Sequence, residues 1–161
     1  MFERFARESR QAIVCATNVA RRLGADRVEP EHLLLALARD HADPAGRALH
    51  EAGIDADQIE RAIEQDLVAA LDVVGVPASV IASTPVYPGA DKPSLSLAVR
   101  HALERALHAA SQRGDRRLGT EHLLLGLLDP PAFILGRVLG ALDVEPDRLA
   151  ALVQVEMAAG R

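Results

Sequence analysis

A chain of 161 residues with 49% hydrophobic and 25% charged residues has the balance of an ordinary folded domain, able to bury roughly 70% of its unfolded surface. Its net charge of −5 lacks the cation surplus that non-specific nucleic-acid binding needs, and no apolar run approaches the ~18–20 residues of a membrane span. Cys15 is the only cysteine, so no intramolecular disulfide can form, and the absence of a signal-like start makes the expected compartment cytoplasmic.

Aromatic residues are 2% of the chain while Ala and Leu dominate, which predicts an all-α fold with a close-packed aliphatic core. Phe5, Ser9, Ala12, Ile13, Ala16, Ala20 and Leu23 recur at helical spacing and predict a first helix over residues 3–23, closed by Gly24. Cys15 falls on its apolar face, as a buried inert thiol or, alternatively, a reactive one. A second helix begins at Pro30, whose missing N–H costs nothing in a first turn, and runs to Arg39. Its nearly all-apolar middle makes it the most buried element.

Asp43-Pro44 pairs a cap with a first-turn proline and predicts a third helix to Ala52. Asp55 and Gln58 stand at capping-box spacing for a fourth helix ending near Leu71. Residues 72–93 carry Pro77, Pro85, Pro88 and Gly89 with few charges, the composition of a loop, with Pro85-Val86-Tyr87-Pro88 extended. That linker either joins two halves or lies across a groove between them. The scheme then repeats near residues 94–113, 120–128, 131–141 and 146–158. Thr120 is the expected N-cap of the second of these helices, and Pro130-Pro131 and Pro146 mark the later starts.

The repetition extends to single residues. Glu31-His32-Leu33-Leu34-Leu35-Ala36-Leu37 recurs as Glu121-His122-Leu123-Leu124-Leu125-Gly126-Leu127. In the same register Gly46-Arg47 matches Gly136-Arg137, Leu49 matches Leu139, and Ala12, Ala16, Ala20 and Gly24 match Ala102, Ala106, Ala110 and Gly114. The chain therefore divides into repeat one (1–71), a linker (72–93) and repeat two (94–161), sharing one core as a single domain.

The opening Phe2-Glu3-Arg4-Phe5, the Glu31-to-Leu35 run and above all Gly119-Thr120-Glu121-His122-Leu123-Leu124-Leu125-Gly126-Leu127-Leu128 resemble the repeat of the Clp N-terminal domain, especially its ClpC branch, over nearly the whole chain except the linker. The resemblance implies two four-helix repeats, about eight helices, related by a pseudo-twofold axis. It also implies a module that recruits substrate and adaptor proteins to ATP-driven ring unfoldases feeding a peptidase, without chemistry of its own. In the ClpC branch it implies recognition of phosphoarginine on marked proteins and of cyclic peptide antibiotics. The chain contains no G-x-x-x-x-G-K-[ST] phosphate loop, so no nucleotide or other cofactor is expected, and neither is an enzyme. It is either a domain of a longer unfoldase or a stand-alone adaptor, competitor or decoy; the long linker and diverged first repeat favour the second. A Clp unfoldase is then a candidate partner.

Glu31 and Glu121 occupy equivalent first-turn positions, where the resemblance places a guanidinium-recognising carboxylate. The residues alone fit equally a carboxylate that complements the positive end of its own helix, an effect of about 0.3–1 kcal/mol. Gly119-Thr120-Glu121 keeps the family pattern, while Glu29-Pro30 replaces Gly-Thr before Glu31 and removes a hydroxyl and an N–H. The resemblance also implies a cyclic-peptide groove between the first helices of the two repeats, formed by Phe2, Val14, Leu95, Arg100 and Glu104, with Leu95 where relatives carry an aromatic ring. Phe2 and Val14 are alternatively core. His32 and His122 read as packed, hydrogen-bonded core residues, and His101 and His108 share a helix face without the partners a zinc site needs. The alternative to a ligand-binding module is a regulatory helical interaction domain that has lost ligand recognition.

Overall fold

Alanine and leucine at helical spacing, with breakers between, form nine α-helices among the described residues of a computed structural model, which covers residues 2–83 and 90–160, with Phe2, Ile81 and Ala82 in backbone only. The first repeat contains α1 (Arg7–Arg22), α2 (Pro30–Ala38), α3 (Pro44–Glu51) and α4 (Ala56–Val73). After α5 (Ala78–Ser83), the second repeat contains α6 (Leu97–Gln112), α7 (Thr120–Leu128), α8 (Phe133–Ala141) and α9 (Pro146–Ala159).

Local chemistry sets most of these bounds. Gly24 and Gly114, both at φ 73°, close α1 and α6 in the left-handed conformation that glycine adopts at no steric cost. Asp55 Oδ1 accepts the Gln58 N–H at 2.8 Å while Gln58 Oε1 accepts the Asp55 N–H at 2.9 Å, completing the predicted capping box of α4. Every residue of α2 is buried, as its all-apolar middle predicts, and α7 is nearly so. Leu33, Leu34, Leu35, Leu123, Leu124 and Leu127 form the centre of one continuous core, each contributing about 1.5–3 kcal/mol by leaving water.

The two repeats face one another across a seam of paired interactions that repeat in the same register as the sequence. Arg27-Val28, labelled β1, lies parallel to Ser94-Leu95, labelled β2, with Val28 opposite Leu95; the equivalent pair, Leu118 and Phe5, forms the matching parallel bridge. The Ala6 N–H donates to Leu118 O at 2.9 Å and the Ser96 N–H to Val28 O at 3.0 Å. Farther out, Arg47 of α3 pairs with Glu156 of α9 at 2.7 Å, and Arg137 of α8 with Asp66 of α4 at 2.7 Å. A contact made from repeat one to repeat two and returned from repeat two to repeat one is the signature of a twofold relation.

Several expectations are corrected. The predicted first helix breaks at its start: residues Phe2–Arg4 form a 3-10 turn and Phe5 is extended and buried, because residues 4–6 pair with Leu118 instead of continuing a helix. The linker predicted as loop over 72–93 is shortened by α4, which reaches Val73, and contains α5; the extended Pro85-Val86-Tyr87-Pro88 segment lies outside the described residues. Thr120 is the first helical residue of α7, not its N-cap, which is Gly119. The start of α8 is delayed past Pro131 to Phe133 by an extended Ala132. Cys15 is half-buried, not buried, and lines a cavity of about 210 Å³ with Glu8, Asp40 and Asp43. Among the described residues no single helix is long and apolar enough to cross a membrane.

Gly46 and Gly136 occupy equivalent helical positions with opposite surroundings. A Cβ on Gly46 would collide with the Asp40 carbonyl, whereas one on Gly136 meets nothing within 4 Å. Gly46→Ala is expected to lower unfolding free energy by about 1–3 kcal/mol through forced backbone movement. Gly136→Ala is expected to raise it by about 0.5–1 kcal/mol through helix propensity. Urea unfolding of the two variants checks the opposite signs.

Candidate functional site

The starts of α2 and α7 share a scaffold. In each, the ring of the third helical residue turns back toward the helix start: His32 Nδ1 accepts the Glu29 N–H and His122 Nδ1 accepts the Gly119 N–H, both at 3.0 Å. Both rings are buried and hydrogen-bonded, as the sequence suggests. The second repeat adds a partner, because His122 Nε2 lies 3.1 Å from Asp115 Oδ2, where the first repeat has Ala25. Nδ1 thus accepts from the start of α7 while Nε2 faces a carboxylate.

Glu31 and Glu121 then diverge. The Glu121 carboxylate folds back over the α-carbon of Gly119, where a Cβ would collide with both of its oxygens. At the equivalent place in the first repeat stands Glu29. Glu31 is instead 6% exposed, and its Oε2 is a buried oxygen with no hydrogen-bond partner among the described residues. Burial, reinforced by Glu29 and Asp66 and only partly offset by its own backbone N–H, pushes its carboxyl up to about 7. For Glu121 burial acts in the same upward direction, but the His122 ring 3.1 Å away and the carboxylate's own N–H outweigh it and hold the group below the usual carboxylate range.

Glu121 opens on a cavity of about 300 Å³ bounded by α3, α9 and the loop before α7, whose lining includes Arg47, Arg113, Asp115, Arg116, Arg117, His122 and Glu156. Thr120 is buried beside it, and its hydroxyl accepts the Ala45 N–H of α3 at 3.5 Å, tying the start of α7 to the other repeat. The sequence reading finds Glu121 and Thr120 but misses the arginines. Their signal was present: Arg116-Arg117 faces Asp26-Arg27 in the repeat register, a change of charge at one position.

The second candidate surface is less assembled. Val14 is 61% exposed on α1, and Arg100 and Glu104 are exposed on α6, with Val14 and Glu104 at equivalent repeat positions. Leu95 is engaged in β2, opposite Val28, and packs partly against the core. The Phe2 side chain lies outside the described residues. Among the described residues no group of three or more His, Cys, Asp or Glu is placed to hold a metal ion.

The family model of the Clp repeat (R) N-terminal domain matches residues 4–142 and also residues 94–160. The chain is 31% identical over 154 residues to the chloroplastic chaperone protein ClpC1 of Oryza sativa subsp. japonica, covering 95% of this chain and 15% of that protein. It is 28% identical over 144 residues to the negative regulator of genetic competence ClpC/MecB of Bacillus subtilis, covering 89% of this chain and 16% of that protein. It thus spans about 15% of the length of the curated relatives it matches. In structure it is similar to the N-terminal domain of ClpD from Arabidopsis thaliana, with a TM-score of 0.75 at 24% identity, covering 98% of this chain and 97% of that one. It is also similar to a ClpV N-domain solved in complex with a VipB peptide, with a TM-score of 0.61 at 17% identity, covering 95% of this chain and 88% of that one.

The raised pKa of Glu31 has a stability consequence of definite sign. A carboxyl held near 7 in the fold and near its ordinary 4.5 in the unfolded chain contributes most below pH 4.5, and that contribution is lost as pH rises through about 7. The full difference is on the order of 3 kcal/mol. Glu31→Gln should therefore raise stability by about 1–3 kcal/mol at pH 8 and change it little at pH 5. Urea unfolding of both proteins across that range checks this, and an unchanged slope in the variant would remove Glu31 as its source.

Proposed function

The chain belongs to the Clp repeat N-terminal domain family, and on that premise we propose that it is a non-catalytic peptide- and protein-binding module of the Clp unfoldase–protease system. In this reading it recruits or sequesters ligands such as phosphoarginine-marked proteins or cyclic peptides, and its natural partners are substrate or adaptor proteins and a Clp unfoldase. Its two repeats act as a single domain, with residues 72–93 as their connection.

The observation that carries the reading is the Glu121 carboxylate, held ionised at the first turn of α7 and open to a cavity lined by arginines. A guanidinium meets such a carboxylate through two parallel charge-assisted bonds. An attached phosphoryl group then finds cations and the positive end of a helix close by. Phosphoarginine presents both charges on one group, which is why it fits better than a plain cation. A ClpV N-domain of the same fold is solved in complex with a VipB peptide, which supports peptide capture as the use of the scaffold.

Binding belongs to the second repeat. Glu31 is buried, Pro30 lacks the N–H and hydroxyl of Thr120, and a carboxyl held near 7 is a weak partner for a cation. Cyclic peptides would be received on the other surface, through Val14, Arg100 and Glu104, with Leu95 contributing only its exposed part.

Calorimetric titration with free phosphoarginine tests the proposal. We expect one site per chain, weakened about 10- to 100-fold by Glu121→Ala, the worth of one shielded charge-assisted contact. Glu31→Ala should leave the affinity unchanged. Absence of both heat and chemical-shift change in the wild type would leave the regulatory alternative, a helical interaction domain without this ligand.

A further inference from the structure

The cavity in front of α7 contains more positive charge than a phosphoguanidinium needs, in a chain whose net charge is −5. Two of its arginines are already committed. Arg47 pairs with Glu156 at 2.7 Å, and Arg113 reaches Asp115 at 3.4 Å and Gln154 at 3.1 Å. Arg116 and Arg117 are exposed and make no hydrogen bond or ion pair with any described residue. The carboxylates divide in the same way. Glu156 and Asp115 are engaged by Arg47 and Arg113, which leaves Glu121, with His122 as its partner and no described arginine on it, as the carboxylate open to a guanidinium.

The backbone that carries the two free arginines is anchored. Immediately after them, the Leu118 N–H donates to Arg4 O at 2.8 Å, and Leu118 O accepts from the Ala6 N–H at 2.9 Å and the Ser9 hydroxyl at 2.8 Å. A fixed starting point lowers the ordering that an ion pair must overcome. The first repeat keeps only one of the two, Arg27 at the position of Arg117, since Asp26 stands at the position of Arg116 and its Oδ1 accepts the Ala90 N–H at 3.2 Å. Nothing in the fold itself uses Arg116 or Arg117, whereas the same position in the first repeat is consumed by an internal hydrogen bond.

We infer that Arg116 and Arg117 make this cavity selective for sequence context: the preferred ligand is a peptide in which the residue meeting Glu121 is flanked by aspartate or glutamate. The inference rests on the reading that Glu121 receives the recognised residue. Planar guanidiniums suit carboxylates because they pair with both oxygens at once. An acidic segment would otherwise be repelled by the chain, so this local reversal of charge selects the binding register as well as the partner.

The test uses the full chain and short synthetic peptides with phosphoarginine at the centre, flanked either by Asp and Glu or by Ser and Gln, titrated into wild type and into R116Q/R117Q. The wild type should bind the acidic-flanked peptide about five- to tenfold more tightly, the yield of two partly exposed ion pairs. That preference should shrink as salt rises from about 50 to about 300 mM. In R116Q/R117Q the ratio between the two peptides should fall to about one while the circular dichroism stays unchanged, any loss of affinity common to both peptides reporting contact of these arginines with the phosphoryl group itself. Equal binding of both peptides to the wild type, still dependent on Glu121, overturns the context inference and leaves the parent reading standing. A preference that survives in the double variant also overturns it. If neither peptide nor free phosphoarginine binds, the parent reading fails and this inference fails with it.

Discussion

Neither repeat can complete its own backbone hydrogen bonding at the entrance to its leucine-rich helix, and the rest of the structure follows from that. The segment before α2 pairs with the segment before α6, and the segment before α7 pairs with the one before α1. Because each partner comes from the opposite repeat, the peptide groups of Val28 and Leu118 are satisfied only when both halves are docked. The exchange places α2 and α7 back to back in one core and presents their acidic first turns at related positions. The outer ion pairs, Arg47 with Glu156 and Arg137 with Asp66, continue the same reciprocity at the surface, where each contributes little by itself.

Much of this arrangement was legible in the residues. The doubled Glu-His-Leu-Leu-Leu run placed two buried helices, and the glycines and prolines around it set most helix bounds within a few residues. Asp55 and Gln58 were readable because a capping box is local chemistry at fixed spacing. The bridging strands were not, since each is at most two residues long and no alternation of polar and apolar residues can show in so short a run. Phe5 fitted a helical stripe equally well, and only its pairing with Leu118 decides that it is extended. The short α5 escaped because Ala78-Ser79-Val80-Ile81-Ala82-Ser83 sits among prolines and carries no charge to signal a helix start.

The contrast between the two acidic first turns was half legible. Glu29-Pro30 against Gly119-Thr120 announces that the first copy has lost a hydroxyl and an N–H. It does not announce that the missing side chain of Gly119 is what gives the Glu121 carboxylate room to fold over the helix start. In the second repeat His122 stands beside a carboxyl held below its usual range, and in the first a carboxyl buried near Glu29 and Asp66 is raised to about 7. Duplication supplied two equivalent frames, and the residues around each acid set its state. The arginines around Glu121 were missed for a different reason. Arg116 and Arg117 stand just before Glu121 and showed only as a change of charge in the repeat register, whereas Arg47 is remote in sequence and only the fold brings α3 to the same cavity.

The same glycine carries the last link between packing and function. His122 Nδ1 lies 3.0 Å from the Gly119 N and 3.1 Å from Glu121 Oε1, and a single ring nitrogen cannot accept from the first and donate to the second at once. With the ring neutral and its Nε2 proton on Asp115, the lone pair on Nδ1 serves Gly119 and the helix start is capped. With Nδ1 protonated, the ring serves Glu121 and the Gly119 N–H loses its acceptor. In the first repeat Asp115 is replaced by Ala25 and Glu31 Oε2 has no hydrogen-bond partner among the described residues, so His32 Nδ1 serves the Glu29 N–H without a competing carboxylate.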